Sequence, residues 1–353
     1  MLQSEKLKLL VIKYGAKALN FRYHYISNKV AFKALKEVEK EKGKLNSKSK
    51  KLAKKYAIDI LGWKGYAPWL YLYTHIYGEF REGWLPDNYY GKIVIPKIQG
   101  DYGKVSNLKP FTNTLFNSHV CPDLAYFVNG QWFSNEFKPL SPQQVEKLIS
   151  QNQGKVVYKS DYTYQGRGVF VYDNSNFDVN MVANKGNGVL QVFIQQHEFF
   201  NEFGSDAVAT LRMTTVIDNS GNSSFRACFL RLGRVNHTHV KSHDQILVPV
   251  DTVTGELQER GYFTSYKSTL QHPDSQVGFL NKTIPNFNEC IRLVLQLQGK
   301  MPMVRTIGWD LVVNKKNKPV IMEWNGYGSG ICFSEATQGP SFKDLNWNVL
   351  HKE

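Results

Sequence analysis

"TIGWDLVVNKKNKPVIMEWNG", residues 306–326, consists of two short apolar runs separated by a polar segment of lysine and asparagine. The runs, 307–313 and 320–324, are rich in β-branched and aromatic side chains, which favour strands. Pro319 stands at the first residue of the second strand, a position where proline is tolerated. The stretch therefore predicts a β-hairpin.

Two carboxylates face each other in this predicted hairpin. If the turn centres between residues 316 and 317 without a bulge, Asp310 lies directly opposite Glu323. Side chains alternate between the faces of a strand, so Asn325 projects from the same face as Glu323. Like charges directly opposite are destabilising, and a hard cation such as Mg²⁺, which takes carboxylate and amide oxygens, would reverse that. The alternative is an exposed face on which both acids are simply solvated.

Composition points to a large globular chain of mixed class. With 353 residues, 42% of them hydrophobic, the chain can build a large core or several subdomains. Helix-like and strand-like segments are mixed, which predicts an α+β or α/β class. The four cysteines form no CxxC pair, which argues against a disulfide framework or a structural zinc site. A reducing cytoplasm is the simple inference.

Positive charge is concentrated near the amino terminus. Residues 1–64 hold 17 Lys/Arg and 5 Asp/Glu, a balance of +12 out of a total of +14. Such a region would attract a polyanion, an acidic glycan or an anionic membrane surface in peripheral contact. The alternative is a solvated, lysine-rich helical surface. Lysines interrupt every early apolar run, so no secretory signal is predicted, and no run approaches the ~20 apolar residues that span a bilayer.

The first 80 residues predict helices. A charged stretch at 36–56 has a polar break at 43–49, which indicates a helix–loop–helix. Residues 63–90 are dense in aromatic side chains, which form either a sugar-stacking surface or, more commonly, packed core. The start of the chain has amphipathic helical spacing, which we expect to pack on the protein's own core, with a membrane surface as the alternative. The apolar residues concerned are Leu7, Leu10, Val11, Tyr14 and Ala18.

Further along, residues 91–135 predict irregular structure with short strands at 92–95 and 124–128. From Ser141 the pattern sharpens, because a serine N-cap, a proline at the first helical position and an apolar stripe predict a helix. The remaining segments predict strands at 154–160, 169–173, 188–196, 209–218 and 225–233, a loop-rich part at 236–285 and a helix at 287–300.

A lysine and a glycine-containing loop connect two of these strands. In "VVYKSDYTYQGRGVFVYD", residues 156–173, Lys159 ends one strand, and Gly166 and Gly168 lie in the loop before the next. Glycines let backbone amides approach phosphate closely, and lysine supplies the charge. The loop is not a Walker A motif, and the HRD and DFG motifs of protein kinases do not occur. An ordinary hairpin turn containing glycine is the alternative.

The order of these features resembles the ATP-grasp superfamily. A strand-end lysine and a glycine loop are followed by an apolar strand with a polar hinge at 191–196, by arginines on later strands, and by the Asp…Glu-x-Asn hairpin. More narrowly, the motifs resemble the sugar-transfer-associated ATP-grasp proteins, which are encoded with capsule and exopolysaccharide synthesis genes. The likeness covers about residues 78–330, in "EFREGWLPDNYYGKIVIPKI", "QQHEFF…ATLRMTTVID", "LRLGR", "HPDSQVGFLNKTIPNF" and "TIGWDLVV…KPVIMEWN".

This resemblance implies a fold of two α+β subdomains that grip ATP and Mg²⁺, behind a helical, basic amino-terminal region. The expected domains are a basic helical region (1–77), a linking region with short strands (78–140), a lid subdomain (141–200) and a carboxy-terminal subdomain (201–353). The implied ligands are Asp310, Glu323 and Asn325 for Mg²⁺; Lys159, Gly166, Arg167 and Gly168 for the phosphates; Gln191, Val192, Phe193 and Ile194 for the adenine hinge; and Arg212 and Arg231 beside the transferred phosphate. Each arginine could instead form a structural ion pair.

Two features fit the resemblance poorly. ATP-grasp proteins usually carry an earlier lysine before the helix that precedes the glycine loop, and the corresponding segment here, "FTNTLFNSHV" (111–120), has none, while Lys138 lies in a different context. The segment "VNHTHVKSHD" contains histidines that suggest a metal site but lacks an acidic or thiol partner at a recognisable spacing. A substrate loop and a plain polar loop remain as interpretations of His197, His237, His239 and His243.

The activity that the resemblance implies is carboxylate–amine ligation. A carboxylate attacks the γ-phosphate of ATP to give an acyl phosphate, and an amine then displaces phosphate to form an amide. The expected partners are ATP, an acidic or nucleotide- or lipid-linked glycan that carries a uronic acid, and an amino acid or other amine. The alternatives are a sugar kinase-like phosphotransferase and a non-catalytic protein that binds polyanions or membrane surfaces. Nucleic-acid binding is disfavoured, because no recognition motif or basic stripe follows the amino-terminal region.

Overall fold

The structure, a computed structural model, describes residues 2–152, 154–163, 166–205, 207–235 and 244–352, and for residues 2–13 it describes the backbone alone. The chain forms two compact units. Unit 1 contains residues 1–97, 265–267 and 330–353, and unit 2 contains residues 98–264 and 268–329.

The helices alternate with strands in a mixed order, and the α+β class is confirmed. The α-helices are α1 (Leu2–Lys42), α2 (Ser47–Asp59), α3 (Ala67–Tyr77), α4 (Asp87–Tyr89), α5 (Ile95–Ile98), α6 (Thr112–Leu115), α7 (Pro142–Gln151), α8 (Val179–Ala183), α9 (Glu198–Asn201), α10 (Phe287–Gly299) and α11 (Cys332–Gln338). Short 3₁₀ turns span Lys64–Tyr66, Tyr102–Asn107, Lys109–Phe111, Lys343–Leu345 and Trp347–Lys352, and a π-helical turn spans Tyr90–Val94.

The strands are β1 (Asp123–Val128), β2 (Gln131–Ser134), β3 (Pro139–Leu140), β4 (Val156–Ser160), β5 (Val169–Tyr172), β6 (Gly188–Val192), β7 (Thr210–Ile217), β8 (Ser223–Leu232), β9 (Ile246–Pro249), β10 (Gly261–Phe263), β11 (Ser268–Thr269), β12 (Thr306–Val313) and β13 (Pro319–Asn325). The predicted strand at 124–128 is thereby confirmed as β1, and each predicted strand from 154 to 233 overlaps an observed one. The serine-capped helix is confirmed as α7, in which Ser141 and Gln144 form a capping box.

Unit 1 is built around α3, which is almost wholly buried and packs against α1 and α2. The aromatic-dense stretch supplies much of this core, because Tyr73, Trp84 and Tyr89 are fully buried. The amphipathic stripe at the start of α1 does not pack as expected at its described positions, since Tyr14 and Ala18 are exposed. Among the described helices, none is long and apolar enough to cross a membrane.

The prediction of a strand at 92–95 is wrong, because these residues lie in the π-helical turn and in α5. Tyr90, Val94 and Ile95 are buried while Lys92 is exposed, which is the spacing of a helical face. A short β-branched run next to a proline does not distinguish a strand from a buried helical turn.

Unit 2 contains two antiparallel sheets. The six-stranded sheet has the order β3-β2-β1-β6-β4-β5, so strands on both sides of residue 141 share it, and α7 and α8 cover its core. The seven-stranded sheet has the order β11-β10-β9-β8-β7-β12-β13, and α10 packs on it. Asp310 lies on β12, and its neighbours β7 and β13 flank it on either side.

The hairpin β12–β13 is confirmed, with one correction to its geometry. Asp310 pairs with Glu323 as predicted, but Leu311 pairs with Ile321, so a bulge at Met322 interrupts the register. The turn is centred on Lys316, not between residues 316 and 317, because Asn314 N–H donates to the carbonyl of Lys318. The two deviations cancel at Asp310, which is why the predicted pair is correct although the assumption of a regular hairpin was not.

Candidate functional site

Three charged residues stand side by side on neighbouring strands of the seven-stranded sheet. Asp310 lies opposite Arg212 on β7 and, on its other side, opposite Glu323 on β13. Directly paired residues project from the same face of a sheet, so the three side chains form one row. Arg231 on β8 and Asn325 on β13 complete what we call the Asp310 cluster: Arg212, Arg231, Asp310, Glu323 and Asn325.

Asp310 is bound by both arginines. Arg212 donates in a two-bond fork, Nε to Oδ1 at 2.7 Å and Nη2 to Oδ2 at 2.8 Å, and Arg231 Nη1 lies 3.3 and 3.4 Å from the same oxygens. Arg212 and Asp310 are both buried, so solvent screens their attraction little. Burial on its own would raise the pKa of Asp310, but the charges of Arg212 and Arg231 outweigh it and hold this pKa below its ordinary value.

Arg231 has longer hydrogen bonds to Asp310 than Arg212 has. Burial and the neighbouring charge of Arg212 lower the pKa of Arg231 to about 10, and Asp310 offsets only part of this. Its buried Nε atom has no hydrogen-bond partner in the part of the chain that the structure describes. Arg231 therefore combines a desolvated positive charge with a donor that the described protein groups do not use.

Glu323 is bound by a lysine that the sequence analysis missed. Lys109 is buried, and its Nζ donates to Glu323 Oε1 at 3.0 Å. It lies two residues before the segment 111–120 in which the earlier lysine was sought and not found. The signal was present in "NLKPF", where a lysine directly precedes the proline that opens a helical turn, but the compared segment began at Phe111.

A close backbone approach positions the segment that carries Lys109. A Cβ added at Gly103 would lie 1.9 Å from the carbonyl oxygen of Gly326, so only glycine permits this contact at the end of β13. Ser106 Oγ accepts from Gly326 N–H at 3.2 Å, and the side-chain oxygen of Asp161 accepts from Lys109 N–H at 3.0 Å. The segment is thereby anchored to the hairpin and to the end of β4.

Lys159, the lysine predicted for the phosphates, reaches the same hairpin from the six-stranded sheet. Its Nζ donates at 2.8 Å to the carbonyl of Met322, the residue of the bulge. A bulge leaves a residue outside the regular pairing of its strand, and here Met322 accepts the lysine instead. Burial lowers the pKa of Lys159, and the charge of Glu323 opposes that shift.

The sequence that contains this arrangement is similar to a known family. The model of the family described as sugar-transfer associated ATP-grasp matches residues 179–349, which include the whole Asp310 cluster. The matched residues make up slightly less than half of the chain. No curated protein matches the chain.

Three solved structures illustrate what the fold of this chain is similar to. A biotin carboxylase from Campylobacter jejuni, in a β,γ-ATP complex, has 12% identity and a TM-score of 0.43, with 73% of this chain and 47% of that chain covered. An L-amino acid ligase from Bacillus licheniformis has 11% identity and a TM-score of 0.38, with 72% and 48% covered. The ATP-grasp ligase PsnB, complexed with a minimal precursor, has 10% identity and a TM-score of 0.41, with 72% and 64% covered. The chain thus spans less than two thirds of each.

The residues predicted to form the adenine hinge lie at the end of β6 and directly after it. Gln191 donates its side-chain Nε2 to Asp123 Oδ1 at 2.7 Å, so this side chain is held inside the sheet. The N–H groups of Val192 and Phe193 donate to the carbonyls of Pro122 and Lys155 at 2.9 and 3.0 Å. Backbone contacts to a base at this hinge would therefore fall to its carbonyl groups or to Ile194.

The predicted phosphate loop connects β4 to β5. Gly166 has φ = +77°, a left-handed conformation that favours glycine, and the carbonyl of Gly168 accepts from Ser160 N–H at 2.9 Å. Arg167 lies between the two glycines. Lys159, from the same sheet, reaches the hairpin directly.

The side-chain oxygens of the hairpin can be compared with the ligands that a hard cation requires. Glu323 uses Oε1 for Lys109, and Asn325 uses Nδ2 for the Gly308 carbonyl at 3.3 Å and for Asp310 at 3.2 Å. Within the described chain this leaves Glu323 Oε2 and Asn325 Oδ1, two oxygens of the type that Mg²⁺ takes. Both oxygens of Asp310, in contrast, are engaged by arginines. The residues fit Mg²⁺, with Glu323 and Asn325 as the more open ligands.

Other potential metal ligands do not form a second site in the described chain. No group of three or more His, Cys, Asp or Glu side chains among the described residues is arranged to hold a metal ion. His197 caps α9, where its ring nitrogen Nδ1 accepts from Phe199 N–H at 3.2 Å. The other three histidines of the predicted loop, at 237, 239 and 243, lie outside the described residues.

Proposed function

We propose that this protein is an ATP- and Mg²⁺-dependent ligase that joins an amine to the carboxylate of an acidic sugar. The observation that carries the proposal is the charge around the hairpin. Four cations, Lys109, Lys159, Arg212 and Arg231, meet two carboxylates, Asp310 and Glu323, and the excess of positive charge is what a polyphosphate would neutralise.

The two lysines and the two arginines would act on different parts of the nucleotide. Lys109 and Lys159, which approach β13 from outside the seven-stranded sheet, would hold the phosphates of ATP. Arg212 and Arg231 would face the phosphoryl group in transfer, where preformed cations in a water-poor site stabilise developing charge without reorganisation. Arg231 is the stronger candidate for direct contact, because its Nε is unused within the described chain.

Bound Mg²⁺, held by Glu323 and Asn325 with Asp310 beside them, would neutralise phosphate charge and align the reacting oxygens. Asp310 would have a second role, because it fixes the guanidinium of Arg212 in a two-bond fork. The row from Arg212 to Glu323 would thus orient both the cation that meets the phosphoryl group and the carboxylate that holds the metal.

The proposed reaction has two steps. First, a carboxylate oxygen of the sugar attacks the γ-phosphorus of ATP, the bond to the β-phosphate oxygen breaks, and ADP leaves. Next, the amine nitrogen attacks the acyl carbon, inorganic phosphate leaves and the nitrogen loses a proton. Neither step requires a nucleophilic residue of the protein, because binding, orientation and charge stabilisation supply the catalysis.

A calorimetric titration with ADP, with and without Mg²⁺, tests the nucleotide site first. We expect Mg²⁺-dependent binding that weakens about 10- to 100-fold in Glu323→Gln, the usual range for loss of a metal-site group. Glu146→Gln, at an exposed position of α7, is the matched control and should bind like the wild type. Equal affinity in both variants would contradict the assigned ligand set.

A product assay tests the reaction itself. Incubation with Mg-ATP, uronic acids and a pool of amino acids should release ADP and phosphate and form an amide that mass spectrometry detects. ADP release with a sugar alone, accompanied by a stable sugar phosphate, would favour the phosphotransferase alternative instead. Amide formation that persists without a uronic acid would exclude an acidic sugar as the carboxylate substrate.

A further inference from the structure

A groove in unit 1, remote in sequence from the Asp310 cluster, runs along the exposed side of α1. Its volume is about 890 Å³, and it lies between α1 and the turn at residues 63–66. Three exposed rings from α1 line it, Phe21, Tyr25 and Phe32, with exposed fractions of 73%, 59% and 46%. Large rings rarely remain this exposed side by side on a monomer surface, so the groove indicates a contact site.

The opposite wall carries a fixed aromatic anchor. The ring of Trp63 is 41% exposed and meets the edges of two neighbouring rings, with centroid distances of 4.7 Å to His24 and 5.1 Å to Tyr66. His24 is buried, and its Nδ1 has no hydrogen-bond partner among the described residues. The wall is therefore preformed, with Trp63 held at its rim.

The charge beside the groove has one sign. Residues 14–36 of α1 include five Lys/Arg and no Asp/Glu. All five cations are exposed, and four of them line the groove: Lys17, Lys29, Lys33 and Lys36. A second copy of the same helix would bring these like charges together, which disfavours a homodimer through this face. The complementary occupant is anionic.

The chemistry of the rings selects among anionic occupants. Phe21 and Phe32 present wholly apolar rings, and the groove is also lined by the polar side chains of Asn20 and Asn28. Exposed aliphatic side chains also continue the apolar surface of α1 beyond the groove, at Leu19, Ile26 and Val30. A surface of this extent fits an interface better than a single small ligand. Aromatic rings and lysines together are typical of segments that lie at the headgroup level of a bilayer.

We propose that the exposed face of α1, with Trp63 at its edge, binds the surface of an anionic phospholipid bilayer. The rings enter the headgroup region, and Lys29, Lys33 and Lys36 lie on lipid phosphates. This inference goes beyond the ligase proposal and does not depend on it. It gives the basic amino-terminal region a specific partner among the three that its charge alone allows.

Vesicle binding of the full-length protein tests the proposal. We expect binding to vesicles of phosphatidylcholine with phosphatidylglycerol, weaker binding to phosphatidylcholine alone, and loss of binding at high salt. Lys29→Gln with Lys33→Gln should lower the partition coefficient about 25-fold, because each lysine near an anionic surface contributes about fivefold. The control pair Lys147→Gln with Lys316→Gln removes the same charge from exposed positions elsewhere and should bind like the wild type.

A second double variant separates the contribution of the aromatic rings to vesicle binding from the contribution of the charges. Phe21→Ser with Phe32→Ser should weaken binding about tenfold or more while the salt dependence stays unchanged. Val253→Ser with Leu280→Ser, two exposed apolar residues of unit 2, is the matched control. Equal loss in both pairs would contradict insertion of the α1 rings.

Trp63 supplies a direct reporter of the docked face. It is the one exposed tryptophan of the seven, since the other six are buried. Vesicles with brominated acyl chains should quench the emission of the wild type, and Trp63→Phe should lose most of that quenching. Binding that leaves Trp63 unquenched, equal binding to neutral vesicles, or a concentration-dependent dimer that the ring variants abolish would each overturn the proposal.

Discussion

Two buried carboxyl groups, one in each unit, differ in what surrounds them. Asp310 in unit 2 is bound by two guanidinium groups, and its pKa is held below the ordinary value. Glu335 in unit 1 accepts from the N–H groups of Leu85 and Ser341 at 2.9 and 2.8 Å, and burial raises its pKa to about 8. In both groups burial disfavours the charged form and so raises the pKa. Only neighbouring cations, as around Asp310, outweigh burial and lower the pKa.

The comparison indicates what each carboxyl group is for. A buried charge that is paired with cations is kept ionised at neutral pH and can orient those cations toward a ligand. A buried carboxyl group that accepts hydrogen bonds from neutral donors, with no cation beside it, is closer to a structural connector, which can be neutral or charged as the pH changes. The first arrangement is costly unless every partner is present, which is why it points to a functional site.

The largest effect is expected from removing the charge of Asp310. Asp310→Asn leaves the buried Arg212 and the half-buried Arg231 without this counterion, and we expect the free energy of unfolding to fall by about 3–5 kcal/mol. Chemical denaturation measures this. Asp101→Asn, which breaks an exposed pair with Lys104, is the control and should change stability by less than about 1 kcal/mol. A similar small loss in both variants would mean that the buried pairing is not maintained in solution.

Glu335 should produce a loss of stability with rising pH. Its pKa is raised in the folded state, to about 8 from an ordinary value of 4.5, so the protonated form is favoured by folding. The contribution to stability is complete below about pH 4.5, decreases as the unfolded chain ionises, and is lost once the pH exceeds about 8. We expect a decrease of a few kcal/mol across this window.

Glu335→Gln tests this assignment, because it removes the titrating group. Denaturation of the variant at several pH values should lack the decrease that the wild type shows between about pH 5 and 8. The amide can accept from only one of the two N–H groups, so the variant should also be less stable at low pH by about 1–3 kcal/mol. An unchanged pH profile would show that Glu335 is ionised throughout, with its two N–H donors outweighing burial.

Substitution of Lys109 tests whether the cations that contact the hairpin also bind the nucleotide. Lys109→Met keeps the length of the side chain but removes its charge, and we expect ADP affinity to fall about tenfold, the loss of one charge-assisted contact. Lys138→Met, at the other lysine considered from the sequence, is exposed and is the matched control. If Lys138→Met weakened ADP binding and Lys109→Met did not, the proposed phosphate contact would belong to Lys138 and not to Lys109.

How much of the site the sequence predicts depends on how far apart in sequence the interacting residues lie. The pairing of Asp310 with Glu323 follows from local alternation across a short turn, so it could be predicted. The bulge at Met322 could not, because its cause is tertiary: the carbonyl of Met322 receives Lys159, which is 163 residues away in sequence. Bulges re-aim side chains near functional sites, and no local pattern in "KPVIMEWN" marks one.

Long-range contacts set the remaining limits. Arg212 and Asp310 are 98 residues apart, and their register depends on how β7 pairs with β12, which periodicity does not specify. Lys109 meets Glu323 across 214 residues through a glycine contact at Gly103 that is visible only in three dimensions. The sequence thus predicted the residue types of the site and one of its pairs, while the pairing of its cations required the fold.

The smallest effect on stability is expected where charges are exposed. Lys29→Gln with Lys33→Gln removes two exposed cations of α1, of which Lys33 interacts with Glu37, and surface charges of this kind contribute little to folding. We expect the free energy of unfolding to change by less than about 0.5 kcal/mol, in either direction, as measured by urea denaturation in the absence of lipid. Because neighbouring cations repel each other, a slight gain in the free energy of unfolding would indicate repulsion between these lysines and their neighbours in the folded protein. Clear destabilisation would mean that these lysines support the fold, and the vesicle experiment with the same variant would then have to be repeated with a pair that leaves stability unchanged, such as Lys17→Gln with Lys36→Gln.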